Sequence, residues 1–257
     1  KRNKTIKKTL SELGSEIIKT SSPSEKYTLT IEAYGLWNNK QITDFGLPRN
    51  IKRPGRLSNL KILPTKKMPK RRSLNSIPGV VAMLHSIAHI ELNALDLAWD
   101  TIVRFTDENM PKEFYDNWIQ IAKEEANHFR MISKRLNDFS ADYGVLPAHE
   151  NLWDVALATK ENLLKRLAVV PMVFEARGLD VTPEIIKKLQ NASHWKSAQC
   201  LKKILNEEIK HVKYGERWFR WICLKKGKKP EETWKILVNE NFSDVIKPKF
   251  NLAARKL

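Results

Sequence analysis

The sequence predicts an all-α protein, a four-helix bundle with short extra helices and a basic, largely irregular N-terminal extension. Glycine is scarce, with 9 among 257 residues, and long spans contain few turn residues, which favours helices. From Pro78 onward, apolar residues recur at the three- and four-residue steps of one helix face. Before it, prolines interrupt the chain and the periodicity is poor. We therefore predict a basic extension at residues 1–78 and a helical bundle at residues 79–257.

The extension carries most of the positive charge. Residues 1–78 hold 18 Lys and Arg against 5 Asp and Glu, and the rest of the chain holds 28 against 24. Within the extension, residues 1–20 predict one short helix and residues 21–78 an irregular segment. The net charge of +17 is therefore concentrated ahead of the bundle.

The first two long helices are predicted at about residues 79–105 and 111–140 from their apolar periodicity. Pro111 suits the first turn of the second helix, where its missing N–H costs nothing. Tyr143 and Gly144 follow that helix and close a hairpin.

The third long helix is predicted at about residues 150–177, bent by Pro171 and stopped by Gly178. A short helix then starts at Pro183, with Thr182 as its N-cap. The fourth long helix spans about residues 195–226 and ends near Gly227, and a last one runs from 230 to about 240.

A single glutamate interrupts the inward-facing apolar stripe of each long helix. On the second and fourth helices a histidine follows three residues later on the same face, in EEANH and EEIKH. One Glu-x-x-His arises often by chance. Two of them, each preceded at a matching distance by a core-facing glutamate, form a specific pattern. The six residues are Glu91, Glu125, His128, Glu175, Glu208 and His211.

Four buried carboxylates would each cost several kcal/mol if left unpaired. Two divalent cations would balance their four negative charges, and each histidine would give one metal a nitrogen ligand. Carboxylate-rich ligation with one imidazole per metal suits two Fe or Mn ions better than structural zinc. Glu91 and Glu175 are the expected terminal ligands, and Glu125 and Glu208 the expected bridges. The alternative, in which the four glutamates lie on the surface, stays open.

Other polar residues near this pattern have weaker assignments. His85 and His89 are four residues apart, but they point away from the Glu91 stripe, which favours a packed polar pair over a zinc site. Glu124 and Glu207 could hydrogen-bond outward from the metal ligands, although a solvated helix edge is the commoner place for such residues.

The stretch PRNIKRPGRLSNLKILPTKKMPKRR, residues 48–72, holds ten basic residues and no acidic one. Such a stretch favours RNA or a ribonucleoprotein as a partner, with no sign of DNA specificity. A solvated basic tail is the alternative. The candidate phosphate contacts are Arg49, Lys52, Arg53, Arg56, Lys61, Lys66, Lys67, Lys70, Arg71 and Arg72.

The cysteines and the hydropathy limit the cellular location. Cys200 and Cys223 have no metal or redox spacing, which favours a reducing compartment. No run of about 18 uninterrupted apolar residues occurs, so we expect no membrane-spanning helix. The start KRNKTIKKTL lacks an acid and suits a processed mitochondrial precursor as well as a clipped chain. We expect an intracellular protein, mitochondrial or otherwise cytoplasmic.

Five motifs together resemble a ferritin-like family known only as a domain of unknown function. They are LHSIAHIELNALDLAWD, EEANHF, YGVLPAHENLW, RLAVVPMVFEARGLDVTP and EEIKHVKYGERWF. The resemblance runs from about Arg53 to about residue 240. It implies a ferritin-like bundle of the di-iron carboxylate superfamily, with its ligands on the six residues named above. A tRNA-modifying di-iron hydroxylase is a more distant relative. The resemblance implies no substrate.

Two functions follow from these observations. The first is an O₂-dependent oxidoreductase that uses a di-metal, expected di-iron, site on a substrate that the sequence does not identify. The second is a non-catalytic RNA-binding component or assembly factor of a mitochondrial ribosome that keeps the ferritin-like scaffold. The two are compatible, because a di-metal bundle can also be tethered to RNA.

Overall fold

The computed structural model describes residues 8–70 and 72–242, with the side chains of residues 241 and 242 excepted. This part of the chain is all-helical, as predicted, and its only β-type pairing is an isolated bridge between Ile62 and Ala148. The α-helices, in chain order, are α1 (Leu10–Lys19), α2 (Pro23–Asn38), α3 (Ile77–Arg104), α4 (Lys112–Asn137), α5 (Asn151–Ala158), α6 (Leu163–Val169), α7 (Ala176–Asn191), α8 (Trp195–Lys225) and α9 (Pro230–Phe242).

Two helix hairpins form the centre of the protein. α3 packs along α4, α7 packs along α8, and the hairpins meet where α4 and α6 contact α8. Gly144 and Gly227 have φ angles of 105° and 64°, a backbone conformation that glycine adopts without a Cβ penalty. The predicted turn at Gly144 and the predicted end of the fourth long helix near Gly227 are therefore confirmed.

The prediction that residues 21–78 are irregular is wrong for α2. Its start has clear signals, because Ser22 caps the helix by accepting a hydrogen bond from Glu25 N, and Pro23 occupies the first turn. Its inward face gives no apolar period, however. Two of the four residues that it buries are polar: Lys26, Thr30, Ala33 and Trp37.

The extension also packs against the bundle. α1 lies on α3 and α2 lies on α4. Leu10, Ile17 and Ile18 of α1 are almost fully buried and belong to the same apolar cluster as Trp99 of α3. Ile51, in the connection that follows α2, is 3% exposed and joins this cluster. The described part of the extension is therefore a packed layer of the protein.

The predicted third long helix is divided into α5, α6, a π-helical turn at Val170–Glu175, and α7. Asn162 accounts for the break after α5, because its side chain accepts a hydrogen bond from Lys165 N and starts α6. Gly178 was expected to stop a helix and Pro183 to start one, and both predictions are wrong. Both residues lie inside α7, and Gly178 does not have a positive φ.

Arg166 fixes the broken segment to α3. The side chain is fully buried, and it donates hydrogen bonds to Asp100 of α3 at 2.7 Å and to Thr159, at the end of α5, at 2.7 Å. A buried charge of this kind is tolerated because it is paired and hydrogen-bonded. The start of α6, and with it the π-helical turn, is thereby held at one position along the bundle.

Among the described residues, α3 is the one helix long and apolar enough by composition to cross a membrane. Two thirds of its most apolar window, 67%, are buried inside the protein. A core helix has the same composition as a spanning one, and the packing of α1, α4 and α5 around α3 explains its hydropathy.

Candidate metal centre

The predicted ligands form a polar layer near the boundary between two apolar clusters of the core. On α4, Ala126 belongs to one cluster and Phe129 to the other. On α3 the division falls between Leu92 and Leu95. On α8, Ile204 lies in one cluster and Trp218 in the other. Glu125, His128, Glu208 and His211 therefore lie close to this boundary, and Glu91 lies just before it, beside Leu92.

Glu91, Glu125, His128 and Glu208 form a group that could hold a metal ion, because one ligand atom of each lies within 4.8 Å of the others. Glu125 and His128 are 0% and 1% exposed, and Glu91 is 6% exposed. The prediction that these glutamates interrupt an inward-facing stripe is therefore confirmed for Glu91 and Glu125, while Glu208 is partly exposed.

His211, the fifth predicted ligand, reaches the same group from α8. Its Nδ1 lies 2.9 Å from Glu125 Oε1 and 3.6 Å from Glu208 Oε2. The equivalent distances from His128 Nδ1 are 3.3 Å to Glu125 Oε2 and 3.6 Å to Glu208 Oε1. Glu125 and Glu208 therefore each present one oxygen to each histidine. Glu91 faces His128 alone, with its Oε2 3.2 Å from His128 Nδ1.

Glu175, the sixth predicted ligand, ends the π-helical turn. Such turns occur frequently at functional sites. Burial, together with the charges of Glu208 and Glu125, raises the pKa of Glu175 to about 8. The carboxylate therefore lies close enough to the group to be repelled by it.

Gly215 allows the π-helical turn to approach α8. A Cβ at Gly215 would overlap the ring of Pro171, which is a residue of the turn. Gly215 follows His211 by one helical turn on α8, and Pro171 precedes Glu175 by one turn. The missing side chain thus permits the close packing that brings this carboxylate to the histidine.

Three buried polar atoms in the layer have no hydrogen-bond partner among the described residues: Glu125 Oε1, Glu175 Oε2 and His211 Nδ1. Glu125 Oε1 and His211 Nδ1 are close, but they do not have hydrogen-bond geometry. Buried polar atoms are normally satisfied, and each exception requires an explanation. Carboxylate oxygens and imidazole nitrogens are the atoms that ligate iron or manganese in such sites. These residues therefore fit a metal.

Without a metal, protons bound to the carboxyl groups and imidazoles of the layer reduce its negative charge. Burial raises the pKa of Glu91 to about 7, and the neighbouring Glu125 also raises it. Burial would lower the pKa of His128, but its hydrogen bonds to Glu125 and Glu207 raise it well above the usual value. Bound protons and bound metal cations both offset the negative charge of the buried carboxylates.

Glu124 and Glu207 complete the site through a crossed arrangement. His128 Nε2, on α4, lies 2.7 Å from Glu207 Oε2 on α8. His211 Nε2, on α8, lies 2.7 Å from Glu124 Oε2 on α4. Each histidine thus donates its outer N–H to the helix opposite and turns Nδ1 inward. The expectation that a solvated edge is commoner for these glutamates was wrong for both.

Partial burial opposes ionisation of Glu124, but hydrogen bonds from His211 and Gln120 hold its pKa at about 2. The hydrogen bond from His128 lowers the pKa of Glu207. Both carboxylates are therefore ionised acceptors, which keep the proton of each imidazole on Nε2. A neutral ring with this tautomer leaves the Nδ1 lone pair free for a metal.

His85 and His89 belong to a separate polar group, as predicted, and not to the metal layer. Gly144 N donates to His85 Nε2 at 2.9 Å, and Tyr143 Oη lies 2.7 Å from His89 Nδ1. His89 Nε2 donates to the carbonyl of His149 at 2.9 Å. These contacts hold the loop after α4 against α3.

The ten basic candidates fall into different environments. Arg49 pairs with Glu12, Arg53 pairs with Asp154, and Arg56 is largely buried between Asp96 and Glu150. Arg71 lies outside the described residues. The remaining six are exposed, and no described carboxylate lies within 4.0 Å of them: Lys52, Lys61, Lys66, Lys67, Lys70 and Arg72.

Comparison with known proteins agrees with the sequence pattern. The family described as "Protein of unknown function (DUF455)" matches residues 19–257, which include all six candidate ligands. The chain belongs to this family. A relative of the chain is an uncharacterized protein of Haemophilus influenzae, 32% identical over 252 residues, which cover 93% of this chain and 86% of the relative. No solved structure matches the chain.

Proposed function

We propose that this DUF455 protein is a ferritin-like di-metal carboxylate protein, an O₂-dependent oxidoreductase that uses two Fe or Mn ions. One observation carries the proposal. Glu125 and Glu208 each offer one oxygen to each of two inward-facing histidine nitrogens, at 2.9–3.6 Å. Carboxylates placed between two imidazoles are suited to bridging two cations, one beside each ring.

The ligand roles follow from these distances. Glu125 and Glu208 would bridge, while His128 and His211 would each give one ion a nitrogen. Glu91, which faces His128 alone, would be terminal on the first ion. Glu175 would be terminal on the second. A cation there would offset the burial and the neighbouring carboxylate charges that raise the pKa of this group to about 8. Two divalent cations balance the four carboxylates.

A bound pair of iron or manganese ions supplies redox chemistry with dioxygen that side chains lack. The protein's own residues orient the ligands and exclude water. Glu124 and Glu207 fix both imidazole rings, and the two apolar clusters adjoin the layer. Glu207 is the most exposed member, at 33%, so approach from solvent is easiest beside it on α8.

The proposal is tested by metal content and by O₂ consumption. Protein loaded anaerobically with ferrous ion is expected to bind about two iron ions per chain, the number that the ligand set of ferritin-like di-iron bundles holds. It is then expected to consume O₂ when air is admitted. Glu125→Ala combined with His128→Ala should abolish both. Glu216→Gln, at a partly exposed position on α8 that pairs with Arg220, is the matched control and should alter neither.

A folded protein that takes up no ferrous ion would refute the metal site. Metal uptake without O₂ consumption would refute the oxidoreductase and favour the second function, a non-catalytic ribosome component or assembly factor. The mitochondrial location stays part of that second proposal. Fractionation of the source cells, with metal analysis of the protein recovered, separates the two functions in the organism.

A further inference from the structure

Residues 61–65 are fixed on the surface of the bundle, and we call the five cations Lys61, Lys66, Lys67, Lys70 and Arg72 the basic strip. Leu63 N donates to Ala148 O at 2.8 Å, and Ala148 N donates to Lys61 O at 2.9 Å. Thr65 Oγ1 donates to Asn151 Oδ1 at 2.9 Å. The backbone that carries the first cations is therefore ordered against the loop before α5.

The five cations of the basic strip are exposed, and no described acidic side chain is paired with them. Residues 48–72 contain no Asp or Glu at all. The arginines earlier in this stretch behave differently. Arg56 in particular is largely buried and bonded to Asp96 and Glu150, so it holds the segment to the bundle. Within residues 48–72, the described cations without an acidic partner are therefore Lys52 and the five cations of the basic strip.

The chemistry of this segment favours a phosphate backbone. It has no Phe, Trp or Tyr between residues 48 and 72 on which a base could stack. The large aliphatic side chain of Ile62 is 42% exposed, but this residue lies in an isolated β-bridge and not in a helix. An anchor in a lipid surface needs a continuous apolar face, usually on an amphipathic helix. Unpaired cations on an ordered backbone are suited to a polyanion.

We propose that the basic strip binds the phosphate backbone of single-stranded RNA without reading its bases. The contact is independent of the metal centre and of its chemistry. Because five cations would displace about five counterions from a single strand, log affinity should fall against log salt concentration with a slope of about −3.5. Without base contacts, oligo-uridylate and oligo-adenylate should bind within about threefold of each other.

The test measures affinity of the full chain for labelled 20-nucleotide oligo-uridylate at several salt concentrations. The variant Lys61→Gln, Lys66→Gln, Lys67→Gln is expected to reduce the slope to about −1.4, because two cations remain. The control Lys187→Gln, Lys226→Gln, Lys228→Gln removes three exposed lysines elsewhere and should keep the slope of the unmodified chain.

Equal effects of the two triple variants would overturn the proposal, as would absent or salt-insensitive binding. A preference of more than tenfold for one homopolymer would overturn the claim that bases are not read. Binding to phosphatidylserine vesicles but not to RNA would replace it with a lipid surface. Oligo-thymidylate that binds as well as oligo-uridylate supports a charge-only contact, and weaker binding adds a role for the 2′-hydroxyl.

Discussion

His211 Nε2 lies 2.7 Å from Glu124 Oε2, and this contact joins α8 to α4 directly behind the candidate metal centre. Its counterpart joins His128 of α4 to Glu207 of α8 at 2.7 Å. The two contacts set the tautomer of both rings and cross between the same two helices. Metal affinity and the packing of α4 against α8 are therefore coupled.

Removal of either outer carboxylate should weaken metal binding without loss of the fold. For Glu124→Ala, and separately for Glu207→Ala, we expect a 10- to 100-fold lower affinity, the usual cost of losing such a partner. Gln at the same position keeps an acceptor oxygen and should restore part of the affinity. Competition with a coloured chelator measures the change, with Glu216→Gln as control.

A loss of metal affinity that is equal in the Ala and Gln variants would show that charge alone matters, and not orientation of the ring. Unchanged affinity in both Ala variants would contradict the positioning role. Circular dichroism of the metal-free variants separates either result from a loss of helix.

Gly215→Ala should be destabilising, because the added methyl group overlaps the ring of Pro171 in the π-helical turn. Overpacking of this kind typically costs about 1–3 kcal/mol. The displacement should also lower metal affinity, since the same turn carries Glu175. Urea denaturation of the metal-free protein measures the first effect, and iron titration measures the second.

Gly178→Ala provides the matched control for that substitution. A Cβ placed on Gly178, which lies inside α7, would meet no atom of the described chain within 4 Å beyond its neighbours and its own helix backbone. Replacement of an unstrained helical glycine by alanine should stabilise the protein by about 0.4–1 kcal/mol. If both variants are destabilised alike, close packing at Gly215 is not the cause.

Lys26→Met should be among the most damaging single substitutions in the described chain. Lys26 Nζ is fully buried, pairs with Asp96 and donates to Ile18 O at 2.9 Å. Removal of one partner from a buried ion pair typically costs about 3–5 kcal/mol. Lys8→Met, which removes an exposed pair with Glu16, should change the free energy of unfolding by less than about 1 kcal/mol.

Truncation of residues 1–72 tests the same packing on a larger scale. It would remove both Lys26 and Arg56, the described partners of the buried Asp96 carboxylate. It would also expose the α3 surface that α1 covers. We expect the truncated chain to aggregate or to unfold without cooperativity. A stable, cooperative fragment would show that residues 1–72 are dispensable for the bundle.

Acid should destabilise the protein through His85. Burial lowers the pKa of His85 from 6.5 to about 4, and its Nε2 accepts hydrogen bonds from Gly144 N and Leu146 N. The unfolded chain therefore binds the proton first as pH falls. The contribution of His85 is fully present above pH 6.5 and is lost progressively toward pH 4.

Unfolding free energies at pH 7, 5.5 and 4.5 check this prediction. The difference between the unmodified chain and His85→Asn should shrink steadily as the pH is lowered through this window. A difference that is constant from pH 7 to pH 4.5 would show that the imidazole of His85 is not held neutral.

The bundle helices were predictable because each buries an apolar stripe of the right period. α3, α4 and α8 begin and end within a few residues of their predicted limits. α2 was missed, since Lys26 and Thr30 stand at buried positions where an apolar residue would have marked the face. No helical period reveals a polar residue whose partner, Asp96, is 70 residues away.

The sequence by itself determined the helical class, the two Glu-x-x-His motifs and the inward stripes, because all three depend on spacings within single helices. Only the tertiary structure decided that Glu124 and Glu207 cross to the opposite histidines, since those contacts span 87 and 79 residues. It also separated Arg56, buried against Asp96, from the exposed lysines of the basic strip. Whether a charged side chain is buried depends on the residues that pack against it, and those residues are distant in the sequence.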